Sequence, residues 1–142
     1  MLPLIERGDI RVLSWTGDEI TFQDRAIFVP TRTANEKRGM LEHFLAAYRK
    51  GARDYHDAFI DQDERPKEGP TAAATIAIIA KYVEQSPDAV RSGIAYIDPQ
   101  LRVNVADVMR QIAWYKSQNM LKGDVDGEKI IDRRYVVELK EK

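Results

Sequence analysis

The chain has no cysteine, no basic stripe and no run of the roughly 18 apolar residues that cross a bilayer, and each absence excludes a class of protein. Without cysteine, neither a disulfide framework nor a thiolate metal site can form. Without a long apolar run, we expect no membrane insertion. A formal net charge of -1, with basic and acidic residues intermixed, argues against nucleic-acid binding.

Two segments near the start have the composition of β-strands. Residues 8–15 (GDIRVLSW) and 25–30 (RAIFVP) are rich in β-branched and aromatic side chains and lie between turn signals. An isolated pair of strands is marginal in water, because its apolar face needs further strands or helices to cover it. We therefore expect these strands either to pack on the helices that follow or to pair with strands of another copy or another chain.

The rest of the 142-residue chain predicts about four helices. From Asn35 onward, apolar residues recur three and four positions apart, which is typical of one buried helical stripe. This long helix should end in the polar run 61–69 (DQDERPKEG), where Pro66 and Gly69 prevent continuation. The apolar positions of the stripe are Met40, Leu41, Phe44, Leu45, Tyr48, Ala52, Tyr55 and Phe59.

A second helix is predicted to open at Pro70 and Thr71. Residues 72–80 of this helix hold a single polar side chain, that of Thr75. A helix that is apolar on nearly every side is normally buried among other elements. We therefore expect this helix to be the centre of the core.

The third and fourth helices are predicted from their capping residues. The tripeptide 86–88 (SPD) combines a capping hydroxyl, a proline in the first turn and an acid near the positive helix end, and Gly93 should end this short helix. Asn104 caps the fourth helix, which should end near Gly123. The residues after this helix are few and mixed in composition, so we expect a partly ordered tail.

The order of these segments resembles the C-terminal half of the SsuA/THI5-like periplasmic solute-binding proteins. The stretches that carry the resemblance are GDIRVLSWTGDE, a strand ending in FVP, the helix FLAAYRKGARDYHDAF and the end WYKSQNMLKGDVD. The resemblance implies a helix-dominated α/β fold, the C-terminal part of a type II periplasmic-binding-protein-like architecture with two lobes. Residues 1–33 would be a remnant of the second lobe with the return crossing strand, and residues 34–142 the closing helices of the first lobe.

The resemblance also implies a function. Such proteins capture a small organic solute, of the sulfonate, nitrate or thiamine-pyrimidine-precursor class, and deliver it to an ABC permease without catalysis. The full-length parent would be periplasmic, and from residues 1–10 we expect no secretion signal within this chain. Since the family's N-terminal half has no counterpart here, the chain would be a fragment, a truncated product or a half that assembles with something.

Candidate ligand contacts follow the first predicted strand. Ligands of α/β sheets lie beyond the carboxyl ends of strands, and residues 14–18 (SWTGD) have that position. Trp15 offers a flat apolar face, and Thr16 and Asp18 offer polar groups to an amine or hydroxyl. The alternative is that Trp15 is a core residue and Asp18 a turn residue.

We expect no catalytic centre, no cofactor and no metal. His43 and His56 lie thirteen residues apart on one predicted helix, roughly 140° apart around its axis, so they cannot share a metal ion. Residues 124–135 begin with the acidic spacing of a calcium loop, but Lys129 replaces the required glycine and Tyr135 the required glutamate. Because some wider relatives of the resembled family are thiamine-pyrimidine synthases, an enzyme fragment is a further, weaker alternative.

A function of another class stays open. The chain can instead be a self-standing helical interaction module, in which the strand pair mediates homo-oligomerisation through its unpaired edge. If it is a half of a binding protein, its strands and the helix at 72–80 should leave apolar surface uncovered in the monomer. We therefore expect a homodimer or a strand-exchanged oligomer of the isolated chain.

Overall fold

The computed structural model describes residues 4–5, 7–14, 19–20 and 22–139. Of these residues 51% are helical, which confirms the helix-dominated character expected from the sequence. The helices with defined bounds within these ranges are α1 (Thr31–Glu36), α2 (Arg38–Phe59), α3 (Ala72–Val83), α4 (Pro87–Ser92), α5 (Val105–Ser117) and α6 (Gly127–Ile130).

The described parts of the chain divide into two compact units. The first unit combines Met1–Leu13 with His43–Leu101, and therefore holds most of α2 together with α3 and α4. The second unit combines Ser14–Glu42 with Arg102–Lys142, and holds α1, α5 and α6.

The two predicted N-terminal strands are absent from the described residues. Residues 10–14 and 22–30 run without a turn, a bend or a ladder of strand hydrogen bonds. Their large apolar side chains are solvent-exposed, Leu13 to 85% and Phe28 to 82%. The prediction is wrong here for a physical reason: a strand exists through hydrogen bonds to a neighbouring strand, and β-propensity alone does not supply one.

A short helix that the sequence analysis did not predict, α1, precedes the long one. Pro30, with φ -59° and ψ 139°, is its N-cap residue, and Ala34 is its buried residue. The chain leaves helical geometry at Lys37, whose N–H donates to Thr33 O at 3.0 Å. Helix α2 then starts at Arg38, so the long predicted helix is confirmed with a start three residues later than expected.

The polar run after α2 forms a tight loop, as predicted. The Asp61 carboxylate accepts hydrogen bonds from the backbone N–H groups of Asp63 and Arg65, both at 2.9 Å. Gly69 returns the chain against the end of α2, where an added Cβ would lie 3.0 Å from Asp57 O. A side chain at this position would therefore collide with the helix backbone.

Helix α3 is buried on one side only. Ala72, Ile76 and Ala80 face the core, while Ile78 is 59% exposed and Tyr82 is also exposed. The prediction that this helix is the centre of the core is confirmed for the face of Ala72, Ile76 and Ala80, but the helix is not buried on its other sides. The expectation of uncovered apolar surface on it is confirmed.

The capping signals of α4 and α5 are confirmed. Ser86 Oγ accepts from Ala89 N at 3.2 Å, Pro87 occupies the first turn, and Gly93 is the C-cap residue of α4. Asn104 Oδ1 likewise accepts from the N–H three residues later, at 2.9 Å.

The core of the first unit lies where the end of α2 meets α3 and α4. Phe59 and Ile76 are its largest fully buried side chains. Tyr55 closes one side, because its hydroxyl donates to Ala95 O at 2.9 Å and accepts from Ala95 N at 3.1 Å. The buried members of the cluster are Ala58, Phe59, Ile60, Ala72, Ile76, Ala80 and Val90.

In the second unit, α5 ends earlier than predicted. Its last residue is Ser117, and Asn119 adopts the left-handed conformation with φ 55°. Asparagine tolerates this conformation, which commonly terminates helices, so the predicted end near Gly123 is six residues too late.

The C-terminal segment is better anchored than the sequence suggests. Val103 pairs with it, donating to Val137 O at 2.8 Å and accepting from Leu139 N at 2.9 Å. The Tyr135 hydroxyl donates to Ala34 O at 2.8 Å, which ties this segment to α1. Among the helices that the structure describes, none has the length and apolar character of a membrane span.

Candidate functional site

The predicted ligand contacts Trp15, Thr16 and Asp18 lie outside the described residues. Ser14, directly before them, is described and exposed. The ligand-contact assignment therefore stays a prediction from the sequence. The described residues do bring together other polar groups, at the start of α5.

The start of α5 carries a buried polar cluster that reaches back to Gln23. Asp107, only 5% exposed, accepts hydrogen bonds at 2.7 Å through Oδ2 from the Gln23 backbone N–H and from Gln111 Nε2. Gln111 Nε2 also donates to Gln23 O at 3.0 Å, and Gln23 Oε1 accepts from Asn104 N at 3.0 Å. We call Gln23, Asn104, Asp107 and Gln111 the Gln23 clamp.

The charge at the centre of the clamp is compensated locally. Burial by itself would raise the pKa of Asp107. The hydrogen bonds from Gln23 and Gln111, together with the Arg110 guanidinium 3.3 Å away, outweigh burial and hold the pKa of Asp107 below its usual value. Asp107 is therefore a buried carboxylate that stays ionised at neutral pH.

The Gln23 clamp is a positioning device. Its hydrogen bonds run to backbone groups, to other clamp residues and, from Arg110, to Asp107 Oδ1. In the part of the chain that the structure describes, no buried side-chain nitrogen or oxygen is left without a partner. The clamp thus fixes where the segment before α1 meets α5.

A shallow groove of about 440 Å³ lies between α5 and α6. Lys116 faces Asp124 at 2.8 Å and Lys129 faces Asp126 at 3.6 Å along its rim. Gly127 forms part of the floor, where an added Cβ would collide with the Met109 sulfur. Because each of the four rim charges already has an opposite charge beside it, the groove has the electrostatics of a solvated surface.

Among the residues that the structure describes, neither histidine has an acidic side chain at hydrogen-bond distance. His43 is exposed on α2. The His56 side chain is 18% exposed and packs edge-on against the Tyr96 ring, with centroids 6.0 Å apart. Its Nδ1 lies 3.9 Å from Asp57 Oδ1, which is too long for a hydrogen bond.

The acidic residues of the imperfect calcium loop have structural roles. Asp124 pairs with Lys116, and Asp126 caps α6 by accepting from Glu128 N at 3.1 Å. Over the described ranges, no group of three histidine, aspartate or glutamate side chains could hold a metal ion.

Of the four residues of the Gln23 clamp, the sequence predicts a role only for Asn104, the N-cap residue of α5. Asn104 was found because a capping residue before an apolar helix has a recognisable pattern. Gln111 lies four residues after Asp107, a spacing that puts the two on one helix face, but nothing in the sequence pairs them with Gln23.

Comparison of the chain with protein families, curated proteins and solved structures gave no match.

Proposed function

We propose that the chain is the non-catalytic C-terminal half of a two-lobed solute-binding protein of an ABC-type importer, with a type II periplasmic-binding-protein-like fold. Its solute would be a small organic solute of the sulfonate, nitrate or thiamine-pyrimidine-precursor class. Its parent would act in the periplasm and deliver the solute to an ABC permease. The predicted contacts would be Trp15, Thr16 and Asp18.

The observation that carries the proposal is the uncovered apolar face of α3. A helix whose sequence is apolar on nearly every side, but which is buried on one side only, has the composition of an element that packs against more protein. Residues 26–29 (AIFV) support the same reading, because successive apolar side chains are typical of a strand covered on both faces. Both features fit a chain that is completed by a further sheet.

The proposal predicts that the isolated chain does not bind solute tightly. A cleft ligand buries most of its surface between two walls, and one wall alone loses much of the burial that offsets the entropy of association. Titration calorimetry of the 142-residue chain with an alkylsulfonate, with nitrate and with a thiamine pyrimidine precursor should give no binding tighter than about millimolar, a weak affinity of about 4 kcal/mol.

The complementary measurement uses the chain joined to whatever in-frame coding sequence precedes it in the genome. This longer protein should bind one of the three solutes in the micromolar range or tighter. Micromolar binding by the 142-residue chain alone would contradict the two-wall argument. The absence of any in-frame continuation would remove the proposed function itself.

The second candidate function is a self-standing helical interaction module. It is favoured by the same exposed apolar side chains, on α3 and on residues 26–29, if these are covered by another copy of the chain rather than by a parent sheet. Sedimentation velocity of the purified chain should then show a concentration-dependent dimer. A stable monomer at all concentrations would count against both candidates, because the half of a binding protein is expected to dimerise through its uncovered apolar surface as well. An enzyme fragment has less support, since neither His43 nor His56 has an acid partner at hydrogen-bond distance within the described part of the chain.

A further inference from the structure

Residues 22–30, which we call the strap, belong to the same compact unit as α5 and run without a turn or a bend. Every strap residue except Gln23 is exposed. Within the described ranges, residues 24–29 make no hydrogen bond to a residue outside the strap. The hydrogen bonds that hold the strap are therefore concentrated at two residues, Gln23 and Pro30.

The attachment at Gln23 is a compact set of hydrogen bonds. The Gln23 backbone N–H donates to Asp107 Oδ2 at 2.7 Å, and Gln23 O accepts from Gln111 Nε2 at 3.0 Å. The Gln23 side chain adds a third bond, since its Oε1 accepts from Asn104 N at 3.0 Å. All three partners belong to α5 or to its N-cap, so one displacement of Gln23 breaks the three bonds together.

Helix α5 has a start of its own that does not involve the strap. Asn104 Oδ1 caps the helix by accepting from Asp107 N at 2.9 Å, and Val108 N donates to Asn104 O at 3.1 Å. The Arg110 guanidinium, 3.3 Å from the Asp107 carboxylate, is also part of the helix. Displacing Gln23 therefore leaves the cap, the first helical bond and this ion pair in place.

The attachment at Pro30 is of a different kind. Pro30 O accepts from Ala34 N at 3.1 Å, at the start of α1. Ala34 is buried, and its carbonyl accepts from the Tyr135 hydroxyl at 2.8 Å. This end of the strap is fixed by a helix and by the C-terminal segment, so it stays attached when Gln23 is displaced.

We propose that the Gln23 clamp is a latch that opens as one unit and releases the strap to move about Pro30 while α5 stays folded. Segments with few buried contacts and solvent-exposed backbone open locally at a lower free energy than the core, and the strap has that character. The open form uncovers the polar groups that the closed form keeps on Gln23, namely the Asp107 carboxylate, the Asn104 N–H and the Gln111 amide. The latch concerns one chain only and is independent of solute binding.

Native-state hydrogen exchange followed by NMR tests the latch in the natural chain. The Gln23 N–H and the Asn104 N–H belong to residues 81 positions apart, and both are bonded across the clamp. If the clamp opens as one unit, their protection factors should agree within about threefold. The N–H of Ile112, inside α5, should be protected at least about tenfold more strongly.

The urea dependence of the same exchange rates separates local opening from unfolding. Opening of the strap exposes little surface, so low concentrations of urea should leave the exchange rates of the Gln23 and Asn104 N–H groups nearly unchanged. Unfolding of α5 exposes much more surface, so the exchange rate of the Ile112 N–H should rise steeply over the same range.

Two glutamine substitutions on α5 test which bonds hold the latch. Gln111→Leu removes the donor to Gln23 O and should speed exchange of the Gln23 and Asn104 N–H groups by about tenfold, by the same factor for both. Gln118→Leu is the matched control, because Gln118 is exposed at the end of α5 and its side chain donates to Ser117 Oγ. This variant should change both rates by less than about twofold.

Three results would overturn the latch. If the Gln23 and Asn104 N–H groups share the protection and the urea dependence of the Ile112 N–H, the strap leaves only when α5 unfolds. Unequal protection of the Gln23 and Asn104 N–H groups would mean that the clamp bonds break separately. Equal effects of Gln111→Leu and Gln118→Leu would mean that the clamp does not hold the strap. The first two results come from the natural chain, so they decide the matter even where a variant fails to fold.

Discussion

Replacing Phe59 with alanine will lower the free energy of unfolding by about 3 to 5 kcal/mol. Phe59 is 2% exposed at the end of α2, and its ring meets that of Tyr55 edge-on with centroids 4.8 Å apart. Removing the ring loses its burial and leaves a cavity among residues of three helices. Because natural domains have a total stability of about 5 to 15 kcal/mol, a loss of this size is a large fraction of the whole.

The same helix offers a matched control. Phe44→Ala removes an identical ring that is 50% exposed and stacked on Tyr48 at 6.0 Å. Its cost should be below about 1 kcal/mol, since a half-exposed side chain leaves no closed cavity. Urea denaturation followed by far-ultraviolet circular dichroism measures both variants. Equal destabilisation by the two would mean that the core is not where α2 meets α3 and α4.

Replacing Asp107 with alanine will cost about 3 kcal/mol of stability at neutral pH. Two part-buried donors, the Gln23 N–H and Gln111 Nε2, lose the carboxylate that they share, and hydrogen bonds to a charged group contribute about 1.5 to 3 kcal/mol each. Asp88→Ala is the control, because the Asp88 carboxylate also lies in the first turn of a helix but is 93% exposed. Its cost should stay below about 1 kcal/mol.

The pH dependence of the Asp107 contribution has a definite sign. The pKa of Asp107 in the folded chain lies below its unfolded value of about 3.9, so the ionised carboxylate stabilises the fold above that pH. The contribution is lost as the pH falls from there through the folded pKa. The stability difference between the natural chain and Asp107→Asn should therefore be constant from pH 6 to 7 and shrink below pH 4. A difference that grows on acidification would contradict the ionised assignment.

The parts of the fold that the sequence predicts well are those set by neighbouring residues. Ser86 and Asn104 were recognised as caps because a capping side chain bonds to an N–H three residues later, within the same turn. The end of α2 followed equally from local signals in residues 61–69. The early end of α5 is also a local feature, since Asn119 in the left-handed conformation marks it, although the sequence pattern favours the later Gly123.

The parts of the fold that the sequence predicts wrongly or misses depend on contacts between distant residues, or on contacts that the chain lacks. Residues 25–30 have the composition of a strand, but strand formation needs a neighbour that the described residues do not provide. The pattern of α3 shows which side chains would favour burial, and it cannot show whether anything covers them. The Gln23 clamp joins residues more than 80 positions apart, and glutamine side chains carry no periodic signal from which such a contact could be read.

The half-covered state of α3 ties the stability of this chain to its surroundings. Whatever binds the native form and covers Ile78 and Tyr82 adds to the free energy of unfolding in proportion to the logarithm of its concentration. The melting temperature is then a property of the mixture rather than of the polypeptide alone. In a cell, the amount of the chain that escapes proteolysis would rise and fall with the concentration of the partner that covers α3.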